Sequence, residues 1–171
     1  MLKVLGKLDR AVGAILGPIV FLGMVALTAV ITLQIVSRVL FTSVSWTEEV
    51  ARFLLIWITF LGAALAFQQG RHIAVTLLRD NLPSGLRRIV FGASLIVIIA
   101  FLATLAMIGW DYMNVQSFQK SPSLRLSMMY VYSVMPFSTA LMAALACIDL
   151  VRLAAGEWPR ETGETPEELM K

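Results

Sequence analysis

The residues best placed to interact chemically lie in one short run, Trp46-Thr47-Glu48-Glu49-Val50-Ala51-Arg52. Glu48 and Arg52 are four residues apart, in the order that favours an ion pair along a helix, worth about 0.2–0.5 kcal/mol when exposed. Ser45 and Glu48 read S-x-x-E, a capping box in which each side chain satisfies an orphaned backbone N–H at a helix start. Trp46 suits the aromatic belt of a membrane–water interface. Glu49 is set about 100° around the helix from Glu48, so neither cap nor anchor accounts for it. A contact with a partner subunit is the alternative to a purely structural motif.

Elsewhere the chain is poor in chemistry. His72 is the single histidine and Cys147 the single cysteine, so neither a His cluster for a metal nor a disulfide can be assembled. His72 reads as a polar residue at a helix end, and Cys147 as a small apolar packing residue. No Ser/His pair is available for nucleophilic catalysis. The sequence therefore argues against an enzyme and implies no cofactor in this chain.

The elements that must position these residues are membrane spans. The chain has 171 residues, 58% hydrophobic and 15% charged, with a mean hydropathy of +0.82; a soluble domain carries roughly 25% charged residues. Stretches free of Asp, Glu, Lys, Arg and His run over 11–37, 53–70, 89–110 and 126–148. Each is about long enough to cross a hydrocarbon core of roughly 30 Å. The expectation is an all-α integral membrane protein with four transmembrane helices, over approximately 14–37, 47–70, 89–110 and 126–148, within a membrane domain of residues 1–154. The second should begin near Trp46, run to about Gln69 and stop at Gly70.

None of the uncharged stretches holds an acid, a base or a histidine, the groups by which ion-coupled carriers and exporters usually hold their ion or substrate. The polar residues of the first are Thr28, Thr32, Gln34 and Ser37, which disfavours a minimal four-helix drug exporter. Gly62 and Ala66 form a small-xxx-small pair in the second span, and Thr139/Ala143 and Ala140/Ala144 do so in the fourth, a spacing that permits close helix approach.

Residues 1–16 place Leu5, Leu8, Val12 and Ile15 opposite Lys3, Lys7 and Arg10, as in an amphipathic helix lying on the membrane surface, with a bend at Gly17-Pro18. A single long tilted helix through residue 37 is the other reading. Residues 71–88 make an interfacial connection with a turn over Asn81–Gly85, and 155–171 form an acidic, mobile tail. With the N-terminus cytoplasmic, ten Lys and Arg lie inside and four outside, satisfying the positive-inside rule and placing both termini in the cytoplasm. The net charge of +3 then reflects topology and anionic lipid, with no nucleic acid implied.

Ser45-Trp46-Thr47-Glu48-Glu49, Arg52, Trp57, Phe60-Leu61-Gly62-Ala63-Ala64, His72-Ile73-Ala74-Val75 and Leu82-Pro83 together resemble the signature of the small membrane subunit, DctQ-like, of tripartite ATP-independent periplasmic (TRAP) transporters. Ser121-Pro122 and Tyr130 with Pro136 fit that family's pattern around its last helix. The resemblance implies a bacterial inner-membrane scaffold beside a large multi-span subunit. That partner would move an organic anion, often a carboxylate, with sodium ions, after delivery by a periplasmic substrate-binding protein. Local geometry, the small-residue spacing and the resemblance together make Trp46, Glu48, Glu49, Arg52, Trp57, Gly62 and Ala66 the candidate subunit interface or structural motif. The small subunit of a tripartite tricarboxylate transporter is the alternative, with a small membrane enzyme or assembly factor behind it.

Overall fold

The computed structural model describes residues 2–40, 44–70 and 84–155. Helix α1 spans Leu2–Val39 and α2 Ser45–Gly70. Helix α3 spans Ser84–Val115 and runs into a 3-10 turn, Gln116–Phe118. A short α4, Met128–Tyr132, leads at Ser133 into α5, Val134–Ala154. Four apolar segments of 25 to 31 residues, Ala11–Val39 in α1, Ser45–Gln69 in α2, Arg88–Phe118 across α3 and its 3-10 turn, and Met128–Ala154 across α4 and α5, are each long enough to span a bilayer. Large apolar side chains point outward along them, among them Phe21, Leu22, Ile89, Val97 and Met107. Such surfaces require lipid or another protein around them.

Helix α1 continues through Pro18, the long-helix alternative of the two sequence readings. Pro18 lacks an N–H and breaks one rung of the ladder, but 38 residues of helix carry the chain past it. Hydroxyls inside the spans are satisfied by their own helices: Thr28 donates to the Met24 carbonyl at 2.9 Å, Thr32 to Thr28 at 2.8 Å and Thr59 to Leu55 at 2.7 Å. Each bonds four residues back, which removes a polar group from contact with lipid.

The helices pack in the order α1, α2, α5, α3, so the last helix in sequence lies between the second and third. Leu61, Ala64, Leu102, Val134 and Met142 form the core, with Leu16 extending it onto α1. Leu145 and Ala146 of α5 are 1% and 0% exposed, as suits the central helix. Close approach is set by two glycines outside the small-residue pairs read from the sequence. A Cβ on Gly23 would lie 2.9 Å from Ile58 Cγ1, and one on Gly109 would lie 3.2 Å from the Pro136 nitrogen. Lipid is as apolar as these side chains, so tight backbone contact holds the helices together in place of a hydrophobic driving force.

The expected connection over 71–83, with His72 and Leu82-Pro83, and the acidic tail from 156 onward lie outside the described residues, as do the side chains of residues 2–10.

Candidate contact site at the Glu49 end of the bundle

At one end of the bundle α1 stops, α2 starts and α3 turns through the 3-10 segment towards α4. Helix α2 opens at Ser45, one residue earlier than expected, with Val44 as its first anchor. The Val44 carbonyl accepts from the Thr47 hydroxyl at 2.7 Å and from the Thr47 N–H at 3.3 Å. The capping box is therefore a correction. Ser45 lies inside the helix with its Oγ 3.3 Å from Ser123 Oγ, and the Glu48 carboxylate turns to Arg52, at 3.2 Å. Thr47 is fully buried, and its hydroxyl donates to a carbonyl, so that bond caps no N–H of the first turn.

Glu48 and Glu49 diverge as their angular separation requires. The Glu48 and Arg52 side chains are 64% and 63% exposed, an ordinary surface pair of a kind worth about 0.3–0.5 kcal/mol. Glu49 points inward and is buried. Its carboxylate accepts the Ser121 hydroxyl through Oε2, the Ser123 N–H through Oε1 at 2.7 Å, and the Leu124 N–H through Oε2 at 3.0 Å. Two backbone donors and a hydroxyl converging on one carboxylate make a small anion nest, built here for an anion of the same chain.

The receiving segment is itself a closed structure. Lys120 and Ser127 form an antiparallel bridge, Ser121 N–H donates to Leu126 C=O at 2.9 Å, and Met128 N–H donates to Gln119 C=O at 2.9 Å. The reversal is tight enough that Arg125 adopts φ = 53°, in the left-handed region that non-glycine residues seldom occupy. Ser127 then caps α4 by accepting from Met129 N–H at 3.4 Å and donates to the Ser117 carbonyl at 3.1 Å. Tyr112 of α3 and Tyr132 of α4 meet edge to face, with ring centroids 5.0 Å apart. A recess of about 420 Å³ remains between Glu48, Arg52, Ser121 and Met128.

Of the other candidate residues, Trp46 and Trp57 are each 41% exposed on α2. Ala66 is also exposed, and among the described residues a Cβ on Gly62 would meet nothing within 4 Å, so this pair does not set a close helix approach there. The sequence reading missed the serine-containing turn that receives Glu49. Ser121-Pro122 entered only through the family pattern, and nothing local indicates a partner 72 residues away.

It also missed the polar cluster at the opposite end. There Arg152 Nη1 lies 3.6 Å from Asp149 Oδ1, both residues buried, and Arg88 Nη2 donates to the Leu153 carbonyl at 2.7 Å. Opposite charges three apart near the end of the fourth span were its only signal. Among the described residues, no three of His, Cys, Asp and Glu come together as a metal site. Acidic and basic side chains among the described residues gather towards the two ends of the bundle, and none of them lies midway along a span.

Comparison with known proteins agrees with this architecture. The family model for tripartite ATP-independent periplasmic transporters, DctQ component, matches residues 27–156. The isethionate TRAP transporter permease protein DctMQ of Oleidesulfovibrio alaskensis is 32% identical over 145 residues, which are 78% of this chain and 22% of that protein. The sialic acid TRAP transporter small permease protein SiaQ of Vibrio cholerae is 28% identical over 114 residues, 66% of each chain. The C4-dicarboxylate TRAP transporter small permease protein DctQ of Rhodobacter capsulatus is 28% identical over 123 residues, 71% of this chain and 52% of that protein. The chain thus spans between about a fifth and about two thirds of the length of these relatives.

Proposed function

The chain belongs to the DctQ component family of TRAP transporters, a family of transporter subunits and not of enzymes, and on that premise we propose that it is the stationary small subunit beside a large permease polypeptide. In that role it widens and steadies the membrane part of a binding-protein-dependent uptake system for an organic anion, with sodium ions bound in the partner. The observation that carries this reading is where the charges stand. Among the described residues, acidic and basic side chains stand towards the ends of the helices, and none is placed midway along a span where an ion or a solute would be held. The relatives carry names for isethionate, sialic acid and C4-dicarboxylate, so a carboxylate is one substrate class among those the family handles.

We place the protein in the bacterial inner membrane with both termini cytoplasmic and the Glu49 end facing the periplasm, following the ten-to-four distribution of Lys and Arg. Reporter fusions test the orientation: after Gln116 they should report periplasm and after Ser84 cytoplasm, and the reverse pattern contradicts it. Affinity purification of the tagged chain from its native membranes tests the role. A large multi-span permease polypeptide should co-purify in stoichiometric amount, and recovery of the chain alone, or with an unrelated enzyme, contradicts it.

A further inference from the structure

The recess beside Glu49 carries two charges that the 119–127 turn does not use. Glu48 and Arg52 border it together with half-buried Phe53 and Met128, around about 420 Å³, within the roughly 300–1,000 Å³ typical of small-molecule sites. Glu49 also borders it, but its carboxylate is already engaged by Ser121, Ser123 and Leu124. Arg52 donates to Glu48 through Nη2 alone, at 3.2 Å, while a guanidinium has five N–H donors to give. With both side chains largely exposed, the pair is weak, and exchanging it for two new partners costs little. We infer that the recess binds the headgroup of a phosphatidylethanolamine lipid, with the phosphate on Arg52 and the ammonium on Glu48.

Depth and polarity select that occupant. The uncharged run 53–70 rises about 27 Å at 1.5 Å per residue, close to the roughly 30 Å of a hydrocarbon core. Arg52 therefore stands at the edge of the hydrocarbon, and Glu48, four residues earlier on the same helix, about 6 Å farther out. Trp46, 41% exposed, suits the same interfacial level. A phosphatidylethanolamine presents its charges in that order, because its phosphate joins the glycerol and its ammonium ends the headgroup. The guanidinium fork matches a phosphate, and a primary ammonium gives Glu48 charge-assisted hydrogen bonds. Phosphatidylglycerol brings a phosphate but no cation for Glu48. The trimethylated nitrogen of phosphatidylcholine has no N–H to donate. Phe53 and Met128 offer the glycerol end an apolar contact.

Photolabelling tests the site on the full chain, purified with its co-purifying polypeptides and placed in phosphatidylcholine nanodiscs. The discs carry a trace of lipid with a diazirine near the glycerol and an ethanolamine, glycerol or choline headgroup, and peptide mapping locates the adducts. The ethanolamine probe should label Phe53, Pro122 or Met128 about tenfold more than the other two, the worth of one charge-assisted hydrogen bond. Glu48→Gln should remove the preference over choline. Arg52→Gln, which takes away the phosphate's partner, should lower ethanolamine labelling to the level at Val39, an exposed residue at the same end of α1. Both substituted side chains are exposed, so neither change threatens the fold. Equal labelling by the three probes, a preference that survives both substitutions, or no adduct at these residues overturns the inference. Loss of labelling on adding soluble phosphoethanolamine would give the recess to a free solute and overturn the lipid as its occupant.

Discussion

Replacing Glu49 by Gln keeps the side chain's shape and removes the charge on which the Ser121 hydroxyl and two backbone N–H groups converge. Buried donors aimed at a carboxylate lose most when that charge goes. Glu49→Gln should therefore loosen the 119–127 reversal, and trypsin should cut the detergent-purified protein after Lys120 or Arg125 faster than it cuts wild type. Glu48→Gln, which removes only an exposed pair, should leave the rate unchanged. Equal cleavage of the Glu49→Gln and wild-type proteins would show that the carboxylate does not hold the turn. This division between neighbouring acids was half legible in the sequence. Helical geometry separated Glu48 from Glu49 and marked the second as unexplained. Its partners could not be read, because they are two backbone N–H groups and a serine, which carry no charge pattern, in a segment more than 70 residues away. The local S-x-x-E motif suggested a cap, but the helix begins at Ser45 itself and the Glu48 carboxylate pairs with Arg52.

At the scale of the helices, spans were easier to read than contacts. A bilayer demands long uncharged segments and internally satisfied backbones, so three of the uncharged runs lie within single long helices and the fourth, 126–148, is shared between α4 and α5. Which small residues meet a neighbour depends on the order α1, α2, α5, α3, and no local pattern encodes that order. Small-xxx-small spacing thus pointed to Gly62, whose Cβ position is open, and passed over Gly109, which faces the backbone of Pro136 at 3.2 Å. The two should respond oppositely in thermal denaturation of the purified subunit. Gly109→Ala crowds a backbone contact that cannot move independently, and overpacking of this kind costs about 1–3 kcal/mol. Gly62→Ala adds a methyl group to open space and reduces backbone entropy in a helix, a gain of about 0.5–1 kcal/mol. A Gly109→Ala protein as stable as wild type would mean that α3 and α5 can part without loss. A destabilised Gly62→Ala would reveal a contact that the isolated chain does not show.

The whole molecule is a bundle whose charged and polar clusters sit at its two ends. At one end Glu49 fastens α2 to the connection between α3 and α4; at the other Arg88 reaches the last carbonyls of α5 beside the Asp149–Arg152 pair. Between them the helices meet through apolar side chains and close glycine contacts, with hydroxyls bonded to their own helices. Such a body is well suited to hold a shape and poorly suited to bind and release an ion, because uphill movement of solute needs a site whose occupancy can be coupled to something. In the proposed role this chain supports transport without performing it. The most direct test is sodium-driven uptake of labelled solute into proteoliposomes, with the purified chain alone and with the same chain joined by its co-purifying large permease and the cognate binding protein. No uptake above empty liposomes is expected for the chain alone, and uptake by the reconstituted set should be lost when the small subunit is omitted. Sodium-dependent uptake by the chain alone would contradict it.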